Sequence, residues 1–272
     1  MTFPGAGNVD QTEAAVEIFN GEGPAPFLIV CEHASNFIPD GYARLGLDGA
    51  GQAAHVAWDP GALKVAQRIS DVLDAPLVAS RMSRLLHDCN RPAASPQAMP
   101  AKSENWIIPG NAGLTPRERN ERAEHIYFPF HRAVAAQLDR WNGASALLAL
   151  VTIHTFTPVY FGVPREVEIG ILYDADSRLA DFMLAQQEDG KSARIVRRNE
   201  PYAPVDGVTH TLQVHALPRG LPNVMIEVRN DLVETQEEQD AMGDWLAGEI
   251  RMAAGRLAAD HTGTPQAAGA LS

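Results

Sequence analysis

His33 and His154 are the residues of this sequence best placed for metal chemistry. Each follows a run of apolar residues, His33 after FLIVCE and His154 after LLALVTI. Continuous apolar runs of this length read as strands buried on both faces of a sheet. In an α/β protein such strands deliver their last residues to the rim where ligands bind. A catalytic zinc takes three protein ligands from His, Asp and Glu and keeps its fourth position open. Two histidines at equivalent strand ends would supply two of them. The third has several candidates. Asp59 precedes Pro60 at a helix start, where it would serve equally well as an N-cap. Asn36 stands at the last position of an HxxE-like spacing, but an amide is a poor zinc ligand. Glu32 adjoins His33, so on a strand its side chain points to the opposite face. Asp59 is the preferred third ligand.

Two further groups could act on a substrate. SRLLHDCNRP brings together Arg84, Asp88, Asn90 and Arg91. Guanidinium and amide groups in such a cluster can hold a carboxylate through charge-assisted, bidentate hydrogen bonds. The competing explanation is a structural ion-pair turn, with Asp88 fixing an arginine. The second group is Glu227 in NVMIEVRND. An acid emerging from a buried strand is costly unless it is paired or functional. Beside a metal-activated water it would serve as general base, then as acid to the departing amine. Its competing explanation is a salt bridge to Arg229 or another neighbour. His131 and His215 could line the pocket, though a structural hydrogen bond explains each better. No GxSxG elbow, P-loop or dinucleotide fingerprint accompanies these residues.

The elements that must position these side chains alternate between strand and helix. Strands are expected at Phe27–Cys31, Pro76–Ser80, Leu147–Ile153, Val167–Tyr173, Ala193–Val196 and Asn223–Val228, and another over Arg84–Cys89. A helix is expected from an Asp59 N-cap with Pro60 in its first turn, carrying Leu63, Ala66, Ile69, Val72 and Leu73 as its apolar stripe. Thr115-Pro116-Arg117-Glu118 is a capping box opening a helix that Pro129 should kink or split, with the second part running to Trp141. Helices are also expected over Ser177–Gln187 and Glu234–Leu257, a long loop over 92–114, and over 37–58 a loop with room for a short helix. This alternation predicts an α/β fold in three layers, as a single domain over residues 27–258. Residues 1–26 read as an irregular lead-in, and 259–272, rich in Gly, Ala and Thr, as a flexible tail.

Composition limits the partners. A net charge of −12 argues against a nucleic-acid backbone, while leaving room for a small anionic substrate at a locally positive site. No apolar run reaches the roughly 18 residues of a membrane helix. The N-terminus has no basic start and carries Asp10, Glu13 and Glu17, unlike a secretory signal. Cys31 and Cys89 give neither a disulfide framework nor a CxxC pattern, so a cytoplasmic setting is the default.

The segments CEHASNFIP, HVAWDPGA, SRLLHDCNRP, IPGN, YFPFHRAV, IHTFTP, NEPY and IEVRND, in this order, resemble the N-formylglutamate amidohydrolase family. Each is weak alone; eight in order across most of the chain are specific. The resemblance implies a zinc carboxypeptidase-like (phosphorylase/hydrolase-like) fold, a mixed sheet of about eight strands between helices. It implies zinc as cofactor, one ion, and a small N-acyl amino acid such as N-formylglutamate as substrate. DCNRP is similar to the carboxypeptidase DxNRN, which carries carboxylate binding to Asn90 and Arg91, with Arg84 alongside. IHTFTP is similar to IHSYS, which makes His154 a zinc ligand, and IEVRND to FELRD, which makes Glu227 the general base. HASN is similar to HxxE and supports His33, with Asn36 in place of the acidic ligand; the family has an aspartate at the position of Asp59. Within the family the chain departs from the PHSG-like and NPYKGG-like motifs, having EHAS and NEPYAPVDG, and so is similar to a separate branch. Two other functions compete: a carboxypeptidase or peptide amidase sharing the zinc and base, and a non-catalytic binding protein for amino acid derivatives.

Overall fold

The structure, a computed structural model, describes residues 15–141, 149–188 and 194–263. Among these residues, eleven strands and six α-helices follow in chain order. The strands are β1 (Val16–Phe19), β2 (Phe27–Cys31), β3 (Leu77–Ser80), β4 (Lys102–Ser103), β5 (Trp106–Ile107), β6 (Ala149–Phe156), β7 (Val159–Tyr160), β8 (Val163–Pro164), β9 (Ile169–Leu172), β10 (Val196–Arg198) and β11 (Asn223–Arg229). The helices are α1 (Gly49–Ala53), α2 (Ala62–Leu73), α3 (Pro116–Arg122), α4 (Phe128–Asp139), α5 (Arg178–Glu188) and α6 (Gln236–Gly263).

Seven strands form one mixed sheet in the order β1-β3-β2-β6-β11-β9-β10. Its centre, β3, β2, β6 and β11, is parallel; β1 pairs antiparallel with β3, and β9 antiparallel with β11. The remaining strands make two short hairpins, β4–β5 and β7–β8. The strand alternation divides the core into two. Ile29, Cys31, Val151, Ile153, Val224, Ile226 and Val228 pack against α2, α5 and α6. Leu28, Val30, Leu150 and Met225 pack against α4 and the long loops on the other face. This explains the unbroken apolar runs: both faces are covered, giving three layers.

The sheet also differs from the sequence-based expectation in ways that follow from local chemistry. β1 forms within the expected lead-in, where Val16–Phe19 pairs with Ser80–Leu77 at the sheet edge. Arg84–Cys89 is a series of turns, not a strand. The Ser83 hydroxyl accepts from Leu85 N and the Asp88 carboxylate from Asn90 N, local bonds that compete with a ladder. Helix α2 begins at Ala62 behind Gly61, not behind an Asp59 cap. Gly61 adopts a left-handed φ of 83°, and a Cβ there would lie 2.7 Å from Val233. That turn frees the Asp59 side chain from the helix start. The capping box of Thr115 and Glu118 is formed as expected. Pro129 does not break the helix: Ala123–Tyr127 widens into a π turn between α3 and α4, which accommodates the missing donor. β10 starts at Val196, later than expected, and Ala193 lies outside the described residues. Leu147 and Leu148 also lie outside them, and β6 runs on past His154 to Phe156, so that His154 sits inside its strand. Of the expected tail, residues through 263 continue α6 and the rest lie outside the described residues.

Gly170 of β9 is the tightest backbone approach near the cavity described below. A Cβ at this position would lie 2.0 Å from the Glu200 carbonyl oxygen. No rotamer relieves a backbone clash, so Gly170→Ala must displace the segment carrying Tyr202. We expect it to lower stability by about 2 kcal/mol in urea unfolding, within the range for overpacking.

Candidate active site

Parallel strands β2 and β6 bring His33, just past the end of β2, and His154, inside β6, together, and β11 adds Glu227 in register with His154. His154 and Glu227 share the parity of Leu150 and Met225 and so emerge on the α4 face, clear of the α2, α5 and α6 layer. Asp59 arrives from the turn before α2, its N–H bonded to the His33 carbonyl at 2.9 Å. The three expected ligands meet. His33 Nδ1 lies 3.2 Å from Asp59 Oδ2 and 3.2 Å from His154 Nδ1, and His154 Nδ1 lies 2.9 Å from Asp59 Oδ2. Tetrahedral zinc with bonds of about 2.0–2.1 Å holds its ligand atoms roughly 3.3 Å apart, close to this triangle. All three residues are buried.

The far side of each imidazole faces a carboxylate. His33 Nε2 donates to Asp88 Oδ1 at 2.8 Å. A carboxylate only accepts, so Nε2 carries a proton, and in the neutral imidazole that ligation needs Nδ1 presents its lone pair to the triangle. Glu32 Oε2 lies 3.1 Å from His154 Nε2, an electrostatic pairing too misaligned for a formed hydrogen bond, and favours the same tautomer. Glu32 therefore sits behind His154 and is no ligand. Asn36 is turned away, donating to the Gln52 carbonyl at 3.1 Å. Two nitrogen lone pairs and a carboxylate oxygen converge on one point, an arrangement that suits a cation at its centre.

Charge points the same way. Burial alone would raise the Asp59 and Asp88 carboxyls, but His33 and His154 hold Asp59 below the usual carboxylate range, and Arg84 and His33 hold Asp88 there. Glu32 is likewise lowered against burial, by His154. Three buried carboxylates thus remain ionised, and among the described residues Arg84 is the one guanidinium paired with them, at 3.4 Å from Asp59 and 2.8 Å from Asp88. Without an ion, Glu32 and Asp59 push the His154 imidazole well above its usual range, so it carries part of the balancing charge; ligation would make both imidazoles neutral and leave two positive charges to be supplied. A divalent ion fits that deficit and this donor set.

Glu227 is different. Burial pushes its carboxyl up to about 7, with Asp59 adding to the rise and His154 opposing it. Its Oε2 is buried without a hydrogen-bond partner among the described residues. Arg229 does not neutralise it; that guanidinium turns to Asp231 at 2.8 Å and to the Arg165 carbonyl at 3.1 Å. Glu227, His33, Asp59 and His154 open onto a cavity of about 900 Å³, whose wall includes Arg84, Arg91, Arg165 and Tyr202.

The remaining candidates divide. Arg91 lies on the cavity wall, and its Nη1 donates to the carbonyls of Asn90 at 3.0 Å and Gly207 at 2.7 Å. Asn90 spends both ends of its amide on backbone, donating to the Val208 carbonyl and accepting from Thr211 N at 3.0 Å. His131 and His215 do not reach the cavity. They bond each other at 2.7 Å, and His131 also reaches the Cys89 carbonyl at 3.0 Å. Arg165 and the backing role of Glu32 were missed by sequence reasoning. Glu32 was legible as a strand neighbour of His33, but its contact with His154 depends on pairing residues far apart in sequence.

Residues 25–234 match the family model of N-formylglutamate amidohydrolase. No curated protein matches the chain. The fold is similar to that of gene product Atu2144 from Agrobacterium tumefaciens, at 50% identity over 92% of this chain and 97% of that one, with a TM-score of 0.87. It is also similar to N-formylglutamate amidohydrolase from Ralstonia eutropha JMP134, at 17% identity over 88% of this chain and 99% of that one, with a TM-score of 0.61. The family match takes in the whole cluster from His33 to Glu227, and the chain therefore belongs to the N-formylglutamate amidohydrolase family, hydrolases of amide bonds.

Proposed function

We propose that this protein is a zinc-dependent amidohydrolase that removes a small acyl group, such as formyl, from an N-acyl amino acid, with N-formylglutamate as the reference substrate. The observation that carries this reading is the convergence of His33 Nδ1, His154 Nδ1 and Asp59 Oδ2 within 3.2 Å, beside Glu227, whose buried Oε2 has no hydrogen-bond partner among the described residues. One zinc ion held by His33, Asp59 and His154 would supply a Lewis acid for the acyl oxygen and a means of acidifying water. Glu227 would accept a proton from the attacking water and return it to the leaving nitrogen. Asp88 and Glu32 would hold the two imidazoles in the tautomer that ligation needs.

Arg91 would bind the α-carboxylate. No carboxylate pairs with it among the described residues, and its contacts are to backbone carbonyls only. Asn90, tied to the 208–211 backbone, would fix the segment from which Arg91 projects. Arg84 would add positive charge to the same wall. The family membership leaves no support for a purely binding role. A screen of N-formyl, N-acetyl and N-succinyl amino acids with zinc-loaded protein tests the reading; absence of bound zinc and of hydrolysis would remove it. A formyl group is small, so binding energy must come mainly from the amino acid. Arg91→Ala is therefore expected to lose about 10²-fold in kcat/KM while keeping its zinc. An unchanged kcat/KM in the folded, zinc-loaded variant would remove Arg91 as the carboxylate clamp.

A further inference from the structure

Arg165 follows the β7–β8 hairpin and stands on the cavity wall. Its guanidinium lies over three aromatic rings, 4.4 Å from the centroid of Tyr160, 5.1 Å from Tyr202 and 5.5 Å from Phe156. Its backbone is held on both sides: its N–H donates to the Pro158 carbonyl at 2.8 Å, and its own carbonyl accepts from Arg229 at 3.1 Å. Among the described residues its side chain bonds through Nη1 alone, to the Thr157 carbonyl and the Tyr202 hydroxyl, both at 3.3 Å. Among the described residues no carboxylate pairs with it. The Nε and Nη2 donors, the edge that grips a carboxylate side-on, stay uncommitted.

Arg91, the proposed α-carboxylate clamp on the same wall, likewise has no carboxylate partner among the described residues. The sequence holds 34 acidic residues against 22 Lys and Arg. Arg84, on the same wall, is paired with Asp59 and Asp88. Lys102 and Arg197 also border the cavity but are exposed, so solvent stabilises them. Arg165 is half-buried and rigidly braced, and desolvating a charge with no anion is costly. A ligand anion would offset that cost. The cavity of about 900 Å³ also falls at the upper end of the range for drug-sized ligands. It has room for a group beyond a formyl amino acid with one carboxylate.

We propose that Arg165, bracketed by Tyr160, Tyr202 and Phe156, binds a second carboxylate of the substrate, distinct from the α-carboxylate assigned to Arg91. The inference rests on the amidohydrolase reading of the same site. N-formylglutamate, the reference substrate, already carries such a second carboxylate; Arg165 is assigned as the residue that reads it, whether that carboxylate sits on the amino acid side chain or on the acyl group. Arg165 thereby determines specificity and takes no part in proton transfer.

Near-isosteric pairs test this. N-formyl-L-glutamate against N-formyl-L-glutamine probes the side chain; N-succinyl-L-alanine against its terminal amide probes the acyl group. Wild type should prefer the charged member of at least one pair, and which pair responds identifies the source of the carboxylate. Arg165→Ala should lose about 10²-fold in kcat/KM on that member, mostly through KM, and less than threefold on the neutral one. Arg165→Lys, which keeps the charge and loses the fork, should recover part of the preference. Equal losses on both members would show a structural brace and overturn the proposal, as would no loss on either. Calorimetric binding of the same pairs to zinc-loaded Glu227→Gln, with and without Arg165→Ala, separates the two readings. A binding preference that Arg165→Ala abolishes supports the subsite even if wild type hydrolyses none of these compounds. Hydrolysis with no binding preference overturns the subsite and leaves the amidohydrolase reading standing.

Discussion

Glu227→Gln will retain zinc and fold, yet lose about 10³-fold or more in kcat. A positioned acid–base group contributes about 10²–10⁴-fold, and here one group is asked to serve both halves of the proton transfer. Glutamine keeps the shape and polarity of the side chain, so the loss reports the missing proton acceptor. Glu227 is suited to the task by its surroundings. Its neighbour across the ladder is His154, its other neighbour is Gly170, and its Oε2 meets no donor. Burial first, then the charge of Asp59, raises its carboxyl to about 7 against the pull of His154. The sign of the pH effect follows. Only the ionised carboxylate accepts a proton, so kcat/KM should rise with pH through this group's pKa and then level. A divalent ion nearby favours the ionised form and moves that limb below 7. In Glu227→Gln the residual activity should lack the limb. Stopped assays across pH 5–8 on zinc-saturated protein check both points; a variant retaining wild-type kcat would remove Glu227 as the base.

The parts of this site that were legible in the sequence are those whose neighbours in the chain explain them. FLIVC and ALVTI read as buried strands because both faces of β2 and β6 are covered, and the histidines after them followed from that. Glu227 stood out because an acid inside NVMIEV had no local reason to be there. What was hidden depends on turns and on distance. Asp59, preferred as the third ligand, looked equally like an N-cap because Asp-Pro commonly opens helices; a left-handed Gly61 postpones α2 and releases the side chain. Arg84–Cys89 looked extended until the Ser83 and Asp88 side chains bonded their own backbone. Those turns set Asp88 against His33 and Arg84 against both Asp59 and Asp88. Arg165 carried no signal, since its aromatic bracket is drawn from Phe156, Tyr160 and the separate loop bearing Tyr202. Pairings across such spans are set by tertiary structure and leave no periodicity to read.

Asp59→Asn will abolish stoichiometric zinc binding and with it all hydrolysis, while the protein remains folded. The substitution preserves volume and removes one charge and the ligand atom shared by His33 and His154. Of the three ligands Asp59 is the only anion, so its loss weakens attraction for a dication more than its size suggests. The metal-free pocket is already rich in negative charge, with Glu32, Asp88 and Asp59 ionised around two imidazoles. Yet His33 and His154 hold the Asp59 carboxylate, and Glu32 and Asp59 together push the His154 imidazole above its usual range, so Asp59→Asn gives up that attraction as well as the contacts to Thr155 N and Arg84. Without metal, Asp59→Asn should therefore be less stable than chelator-stripped wild type. The gap should widen when zinc is added. An ion that binds only the folded state stabilises it by RT ln(1 + [L]/Kd), about 4 kcal/mol at a thousandfold excess over Kd. Wild type should show that gain as a rise in Tm with zinc, and Asp59→Asn should show little or none. Metal analysis with thermal melts on both proteins decides it: a wild type whose Tm ignores zinc, or a variant that retains one equivalent, would remove the His33, Asp59 and His154 triangle as the metal site.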